Sequence, residues 1–182
     1  MSRKELCSFR KGYVQVYTGN CKGKTTAALG LAFRAMGRGL KTYIGQFMKG
    51  RLYGELEAAK KVEPFIIIEQ YGKKGFMHVK NPPQQKDIDM AQKGLEKARQ
   101  AMLKGGYNIV VLDEVITANY FNLVSLTDIL DLINNKPEDI ELVLTGRYAP
   151  RELIDAADLV TEMVEIKHYY QQGVAARDGI ER

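Results

Sequence analysis

Tyr13-Val14-Gln15-Val16-Tyr17-Thr18-Gly19-Asn20-Cys21-Lys22-Gly23-Lys24-Thr25-Thr26 reads as a strand, a turn and the opening of a helix. Tyr13 to Tyr17 alternates β-forming residues with the period of a strand, Thr18 to Gly23 is turn-rich and basic, and an apolar helical run begins at Thr25. Gly-Lys-Thr-Thr in that context is a phosphate-binding loop. Gly19 and Gly23 let the backbone curl so that successive N–H groups converge on phosphate oxygens. The helix start adds unpaired donors and a positive dipole end. Lys24 supplies a mobile charge, and the Thr25 hydroxyl is the expected magnesium ligand. The ordinary pattern has Gly, four residues, then Gly-Lys-Thr. Here Thr18 takes the place of the first Gly, and Gly19 stands one residue closer.

Outward from this loop the chain alternates between helix and strand. Ala27 to Met36 is apolar almost all round, which predicts a helix buried against a sheet. Lys41 to Phe47 reads as a strand ending in Gln46-Phe47-Met48-Lys49-Gly50. Ligands of open parallel sheets sit at the carboxyl ends of strands, so Gln46 and Lys49 are candidate site residues. A helix over Gly54 to Lys61 and a strand over Phe65 to Gln70 follow. The stretch from Tyr71 to Pro83 is too long and too rich in Gly, Pro and Lys for a simple connector, which marks it as functional or disordered.

Asp87 to Leu103 has helical periodicity, and Tyr107 to Leu112 is an apolar strand ending in Asp113-Glu114. Carboxylates at such a strand end are the usual second half of a phosphate-loop site, holding magnesium directly or through water. Ser125 with Asp128 signals a helix N-terminus. Glu141 to Leu144 is a further strand, followed by Thr145-Gly146-Arg147, where the arginine either pairs with phosphate or lies free on the surface. A helix from Pro150 to Ala157 and a strand from Leu159 to Ile166 close the pattern. The expected architecture is α/β: a P-loop NTPase-like domain over residues 13–182, with a mostly parallel sheet of about six strands and helices on both faces, preceded by an arm over residues 1–12.

The chain has 182 residues, 45% hydrophobic and 27% charged, enough for one domain with a substantial core. A net charge of +5 suits an anionic ligand without requiring nucleic acid, and no Arg/aromatic array suggests a nucleic-acid platform. Cys7 and Cys21 are too few for a disulfide framework, which points to a reducing, cytoplasmic setting. Neither a signal-like segment nor a membrane-spanning run stands out. No Cys/His set has metal-ligand spacing, and neither His78 nor His168 has a Ser or Cys nucleophile beside it.

Thr18 to Ala28, Gln46-Phe47-Met48-Lys49-Gly50, Val111-Leu112-Asp113-Glu114 and Leu144-Thr145-Gly146-Arg147 together resemble the P-loop ATP:corrinoid adenosyltransferases, and the resemblance extends from Val14 to Glu181. The shortened loop is normal in that family. The resemblance implies that cobalt(I) of a reduced corrinoid attacks the 5′ carbon of ATP and expels triphosphate, with no protein nucleophile. It further implies that Thr18, Gly19, Asn20, Cys21, Lys22, Gly23, Lys24, Thr25, Thr26 and Arg147 bind ATP, and that Thr25 and Glu114 hold Mg2+ (or Mn2+) with Asp113 beside them. Lys24 and Glu114 would act as electrostatic stabilisers. Gln46, Lys49, Phe76, Met77 and His78 would face the corrinoid, with His78 not a cobalt ligand. An electron-donating flavoprotein and a homodimer are expected, and nucleic acid and membrane are not.

Two departures stand out. Cys21 replaces a Gly found in many members, so a negative φ is expected there, and Met77-His78 replaces Thr-Trp. Without the resemblance, the loop and carboxylates are equally those of a small-molecule kinase or ATPase, or of an ATP-dependent binding module.

Overall fold

The computed structural model describes residues 10–73 and 82–182. The helical elements are α1 (Lys24–Met36), α2 (Gly54–Lys60), α3 (Gln85–Lys104), α4 (Val115–Tyr120), α5 (Leu126–Asn134) and α6 (Arg151–Ala156). Six strands alternate with them: β1 (Val14–Thr18), β2 (Thr42–Phe47), β3 (Ile66–Tyr71), β4 (Ile109–Asp113), β5 (Glu141–Thr145) and β6 (Leu159–Glu162). They form one sheet in the order β3-β2-β4-β5-β1-β6, with every pairing parallel.

Strand alternation explains the layering. Val110 and Leu112 of β4, with Leu142 and Leu144 of β5, enter a core that also holds Leu95, Ala98, Ile129 and Leu153 from α3, α5 and α6. Their neighbours Ile109, Val111 and Val143 enter a second core with Ala28, Ala32 and Ala35 of α1 and Ala59 of α2. Both sheet faces are therefore covered, which is why these strands read as continuous apolar runs. Ser125 caps α5 as expected, accepting a bond from the Asp128 amide.

The helix after the loop differs from its reading. Apart from Lys24 at its start, α1 buries only the small residues Ala28, Ala32 and Ala35, and Phe33 is 69% exposed. Small side chains let α1 lie close on the sheet, and its larger residues stand at the margin of that contact. The final strand is also shorter than expected. β6 pairs with Gln15 to Thr18 of β1 and stops at Glu162, because β1 turns into the loop there and offers no further partner. Every residue of β6 is exposed. A helix between Glu114 and Ser125, α4, was not foreseen. Met1 to Phe9 and Lys74 to Asn81, and with them Phe76, Met77, His78 and most of the expected arm, lie outside the described residues. No described helix is long and apolar enough to cross a membrane.

Topology sets the position of the site. The connection from β1 to β2 passes over β5 and β4, so α1 lies across those strands with its N-terminus beside their carboxyl ends. β2 pairs with β4 in a register that puts Gln46 opposite Asp113. The loop, the end of β2 and the end of β4 thus meet.

Candidate functional site

The loop needs both of its glycines. Gly19 has φ 95° and Gly23 φ 129°, a region L side chains rarely adopt. A Cβ on Gly19 would meet the Met163 carbonyl oxygen at 2.4 Å. Met163 lies just past β6 and accepts from the Cys21 amide at 3.1 Å, so the last strand buttresses the loop. Cys21 is not among the left-handed residues, as its replacement of Gly predicts. Thr18, in the place of the usual first glycine, is buried, and its hydroxyl accepts from the Ala149 amide at 3.4 Å. Lys24 is only 5% exposed, and its ammonium donates to the carbonyls of Gly19 (2.7 Å) and Cys21 (2.8 Å). Burial pushes its pKa down, and Glu114 pulls the other way.

At the end of β4, Asp113 is fully buried and collects four donors. Its Oδ1 accepts from the hydroxyls of Thr25 (2.8 Å) and Thr145 (2.7 Å). Its Oδ2 accepts from the Lys49 ammonium (2.8 Å) and more distantly from the Gln46 amide (3.4 Å). Burial alone would push Lys49 down, but Asp113, Glu55 and Glu114 outweigh it and hold its pKa above the ordinary value. Gln46, fully buried, also donates to Glu55 at 2.9 Å and accepts from Gln70 at 3.0 Å.

Glu114 follows in the left-handed region with φ 63°, which turns its side chain away from that of Asp113. Two threonines hold this conformation. Thr145 accepts from the Glu114 amide at 3.0 Å while donating to Asp113, and the Thr117 hydroxyl donates to the Glu114 carboxylate. Thr117 also accepts from the Arg147 amide at 2.9 Å, so α4 ties the ends of β4 and β5 together.

These elements enclose a cleft of about 690 Å³, walled by Cys21 to Thr26, Lys49, Glu114 and Arg147. The structure therefore brings the loop, Glu114 and Arg147 together, keeps Asp113 behind the wall, and places Lys49 and Gln46 on Asp113. Asn20 is exposed at the loop tip. Sequence reading gave no role to Thr145, Thr117, Glu55 or Tyr53. It also gave none to the tail, although His168 and Gly179 to Arg182 complete the cleft. Lys22 reaches across to the Ile180 carbonyl at 3.0 Å. An apolar hollow of about 750 Å³ adjoins it, sharing Tyr53, His168, Glu181 and Arg182. Another, of about 580 Å³, lies between β2 and the far end of α3 around Tyr43 and Tyr107, away from the phosphate loop.

A parallel sheet with a phosphate loop after β1 and an acid at the end of β4, two strands away, defines a P-loop NTPase-like protein. A KaiC-like protein from Pyrococcus horikoshii shares this fold, with a TM-score of 0.59 at 14% identity over 88% of this chain and 77% of that one. The profile of the family described as ATP:corrinoid adenosyltransferase BtuR/CobO/CobP matches residues 10–182, and the chain belongs to that family. A corrinoid adenosyltransferase from Sinorhizobium is 35% identical, covering 94% of this chain and 80% of its own. One from Pseudomonas aeruginosa is 34% identical, with coverages of 94% and 84%. The Salmonella typhimurium enzyme is 33% identical, with 94% and 86%.

Proposed function

We propose that this enzyme moves the 5′-deoxyadenosyl group of ATP to the cobalt(I) of a reduced corrinoid and releases triphosphate. The observation that carries this reading is the family match over residues 10–182 joined to a cleft lined by Cys21 to Thr26, Glu114 and Arg147. In the transfer, cobalt(I) supplies the electron pair of the new cobalt–carbon bond, and the C5′–O electron pair leaves with triphosphate. No phosphoryl group moves, so the demand on the protein is to bind and stabilise a leaving group whose charge grows as the bond breaks. Gly19 to Thr26 and Arg147 would cradle the triphosphate. Lys24 would exchange its loop carbonyls for phosphate oxygens, and the N-terminus of α1 would add its dipole.

The donor set fits a hard divalent cation. The Thr25 hydroxyl spends its proton on Asp113, which turns its lone pairs toward the cleft, and the Glu114 carboxylate lines the same space. Among the described residues no cluster of three or more His, Cys, Asp or Glu side chains could hold a metal by itself. Such an ion would share phosphate oxygens as ligands, as magnesium commonly does. We assign Thr25 and Glu114 as its protein ligands and Asp113 as the residue that orients Thr25. Bound there, Mg2+ or Mn2+ would neutralise charge on the triphosphate.

Phe76, Met77 and His78 would contact the corrinoid. A flavoprotein would supply the electron, in a cytoplasmic setting that suits the two cysteines. A second copy of the chain would cover the apolar side chains of Leu159, Val160, Val164 and Ile166 near the β6 edge, which are exposed here. The test is incubation with ATP, Mg2+ and chemically reduced corrinoid. The expected result is a cobalt–carbon bond in the visible spectrum and stoichiometric triphosphate. Release of ADP instead would make the protein a kinase or ATPase.

A further inference from the structure

Lys49 is held where a cation belongs. Its backbone is fixed by the turn after β2: Met48 has φ 58° and its amide donates to the Tyr71 carbonyl at 3.1 Å. The turn is packed so closely that a Cβ on Gly50 would meet the Gly72 carbonyl oxygen at 2.4 Å. From there the side chain, 18% exposed, runs past the Tyr53 ring (5.5 Å) into the cleft. Its ammonium stands 2.8 Å from Asp113 Oδ2, 3.3 Å from Thr25 Oγ1 and 3.9 Å from Glu55 Oε1. The Thr25 proton is already committed to Asp113, so Lys49 donates to a lone pair of the oxygen assigned above to the metal.

We propose that Lys49 is a tethered stand-in for the divalent cation, filling the Thr25–Asp113 contact before nucleotide arrives and so making metal entry depend on ATP. This inference builds on the assignment of Thr25 and Glu114 as metal ligands. A divalent ion arriving alone meets a fixed positive charge a few ångströms away and finds Asp113 already neutralised, with Glu114, Glu55 and Glu181 as the other carboxylates lining the cleft. The triphosphate changes that balance by bringing several negative charges. The contact to Thr25, at 3.3 Å, is long and readily given up, whereas the ion pair with Asp113 at 2.8 Å keeps the carboxylate satisfied throughout. Lys49 is thus a positioning residue for the metal as well as its competitor.

Mn2+ binding, followed by electron paramagnetic resonance, tests this without turnover. In nucleotide-free protein Lys49→Met should bind Mn2+ roughly tenfold or more tightly than the parent, since it removes a positive charge and frees a carboxylate. Lys49→Arg, which keeps the charge, should stay near the parent. If Lys49→Met does not fold, Lys49→Gln, whose amide can still donate to Asp113, carries the same direction of change because it too removes the positive charge. Equal Mn2+ affinity in parent and charge-removed variants would overturn the proposal. So would a parent that binds Mn2+ as tightly without ATP as with it. The ATP-loaded parent and its Glu114→Gln variant form a separate arm. If their bound-Mn2+ spectra and affinities coincide, the ligand assignment itself is wrong, and this proposal falls with it for a distinguishable reason.

Discussion

The wall of the cleft built from strand ends carries Asp113, fully buried and bonded to donors from α1, β2, β5 and the turn after β2. The opposite wall, built from the last residues of the chain, carries Glu181, whose partners Tyr169 and Arg177 lie within the same exposed segment. Asp113 is placed by the register of the whole sheet and cannot move without disturbing it. Glu181 pairs with residues four and twelve positions before it, and in the same part of the chain Ile166 is 93% and Tyr170 75% exposed. Regions that share few buried contacts with a core open locally, at a free energy well below that of global unfolding. One wall is therefore suited to hold triphosphate in fixed geometry and the other to let substrate in and product out.

The strongest way to break this contrast is Asp113→Ala. It strands the Lys49 ammonium and two threonine hydroxyls, and should lower global stability by about 3–5 kcal/mol in denaturant unfolding. A loss within experimental scatter would mean that the buried wall is no more constrained than the tail. Next in size, Lys24→Ala removes the charge that would face the leaving group. Turnover at saturating ATP should fall by about 10²-fold or more, with the folded state retained. Near-normal turnover would show that the loop does not stabilise the departing triphosphate.

The buried wall was largely legible in the sequence, whereas the exposed one carried no residue whose role the sequence announced. Gly19, Gly23 and Lys24 announce themselves because few residues tolerate that backbone or supply that charge, and the apolar strand before Asp113 marks its own end. Thr145 and Thr117 carry no such mark. A threonine at a strand end looks the same whether or not its hydroxyl meets a carboxylate from another strand. Lys49 was recognisable as a strand-end residue, but its partner was fixed only by the pairing of Gln46 with Asp113 across β2 and β4. The tail was read as strand through Ile166 from its alternation. What ends the strand is the turn of β1 into the phosphate loop, a fact of tertiary structure.

Glu114 lines the cleft just after Asp113, and Glu114→Gln sharpens the comparison by testing one side chain that is neither buried nor free. It keeps the shape and removes one charge that would face the metal. The Mg2+ concentration for half-maximal rate should rise by about tenfold, while metal-free ATP binding stays close to that of the parent. Coincident Mg2+ titrations would make the carboxylate a structural partner of Thr117 only.

The smallest effect is expected in the tail, and it has a pH signature. The Arg177 guanidinium, the Tyr169 hydroxyl and the Arg177 amide hold the Glu181 carboxyl down to about 2, against an ordinary value of 4.5. A carboxyl whose pKa is lower in the folded tail contributes stability that is complete above its ordinary value and is lost as pH falls through about 2. The clasp should therefore be closed at neutral pH and loosen between those limits. The Arg177 amide, which donates to Glu181 Oε2 at 2.9 Å, reports on it directly. In Glu181→Gln at neutral pH this amide should exchange with solvent several-fold faster than in the parent, whereas the amides of β4 should be unchanged. The global unfolding midpoint should not move, because exposed ion pairs contribute little to the folded state as a whole. In the parent, acidification from about pH 5 to pH 2 should bring the Arg177 amide toward the behaviour of the variant, after correction for the intrinsic exchange rate. If instead Glu181→Gln speeds exchange in β4 as much as in the tail, the two walls unfold as one unit, and the triphosphate cannot leave by a local opening of this side.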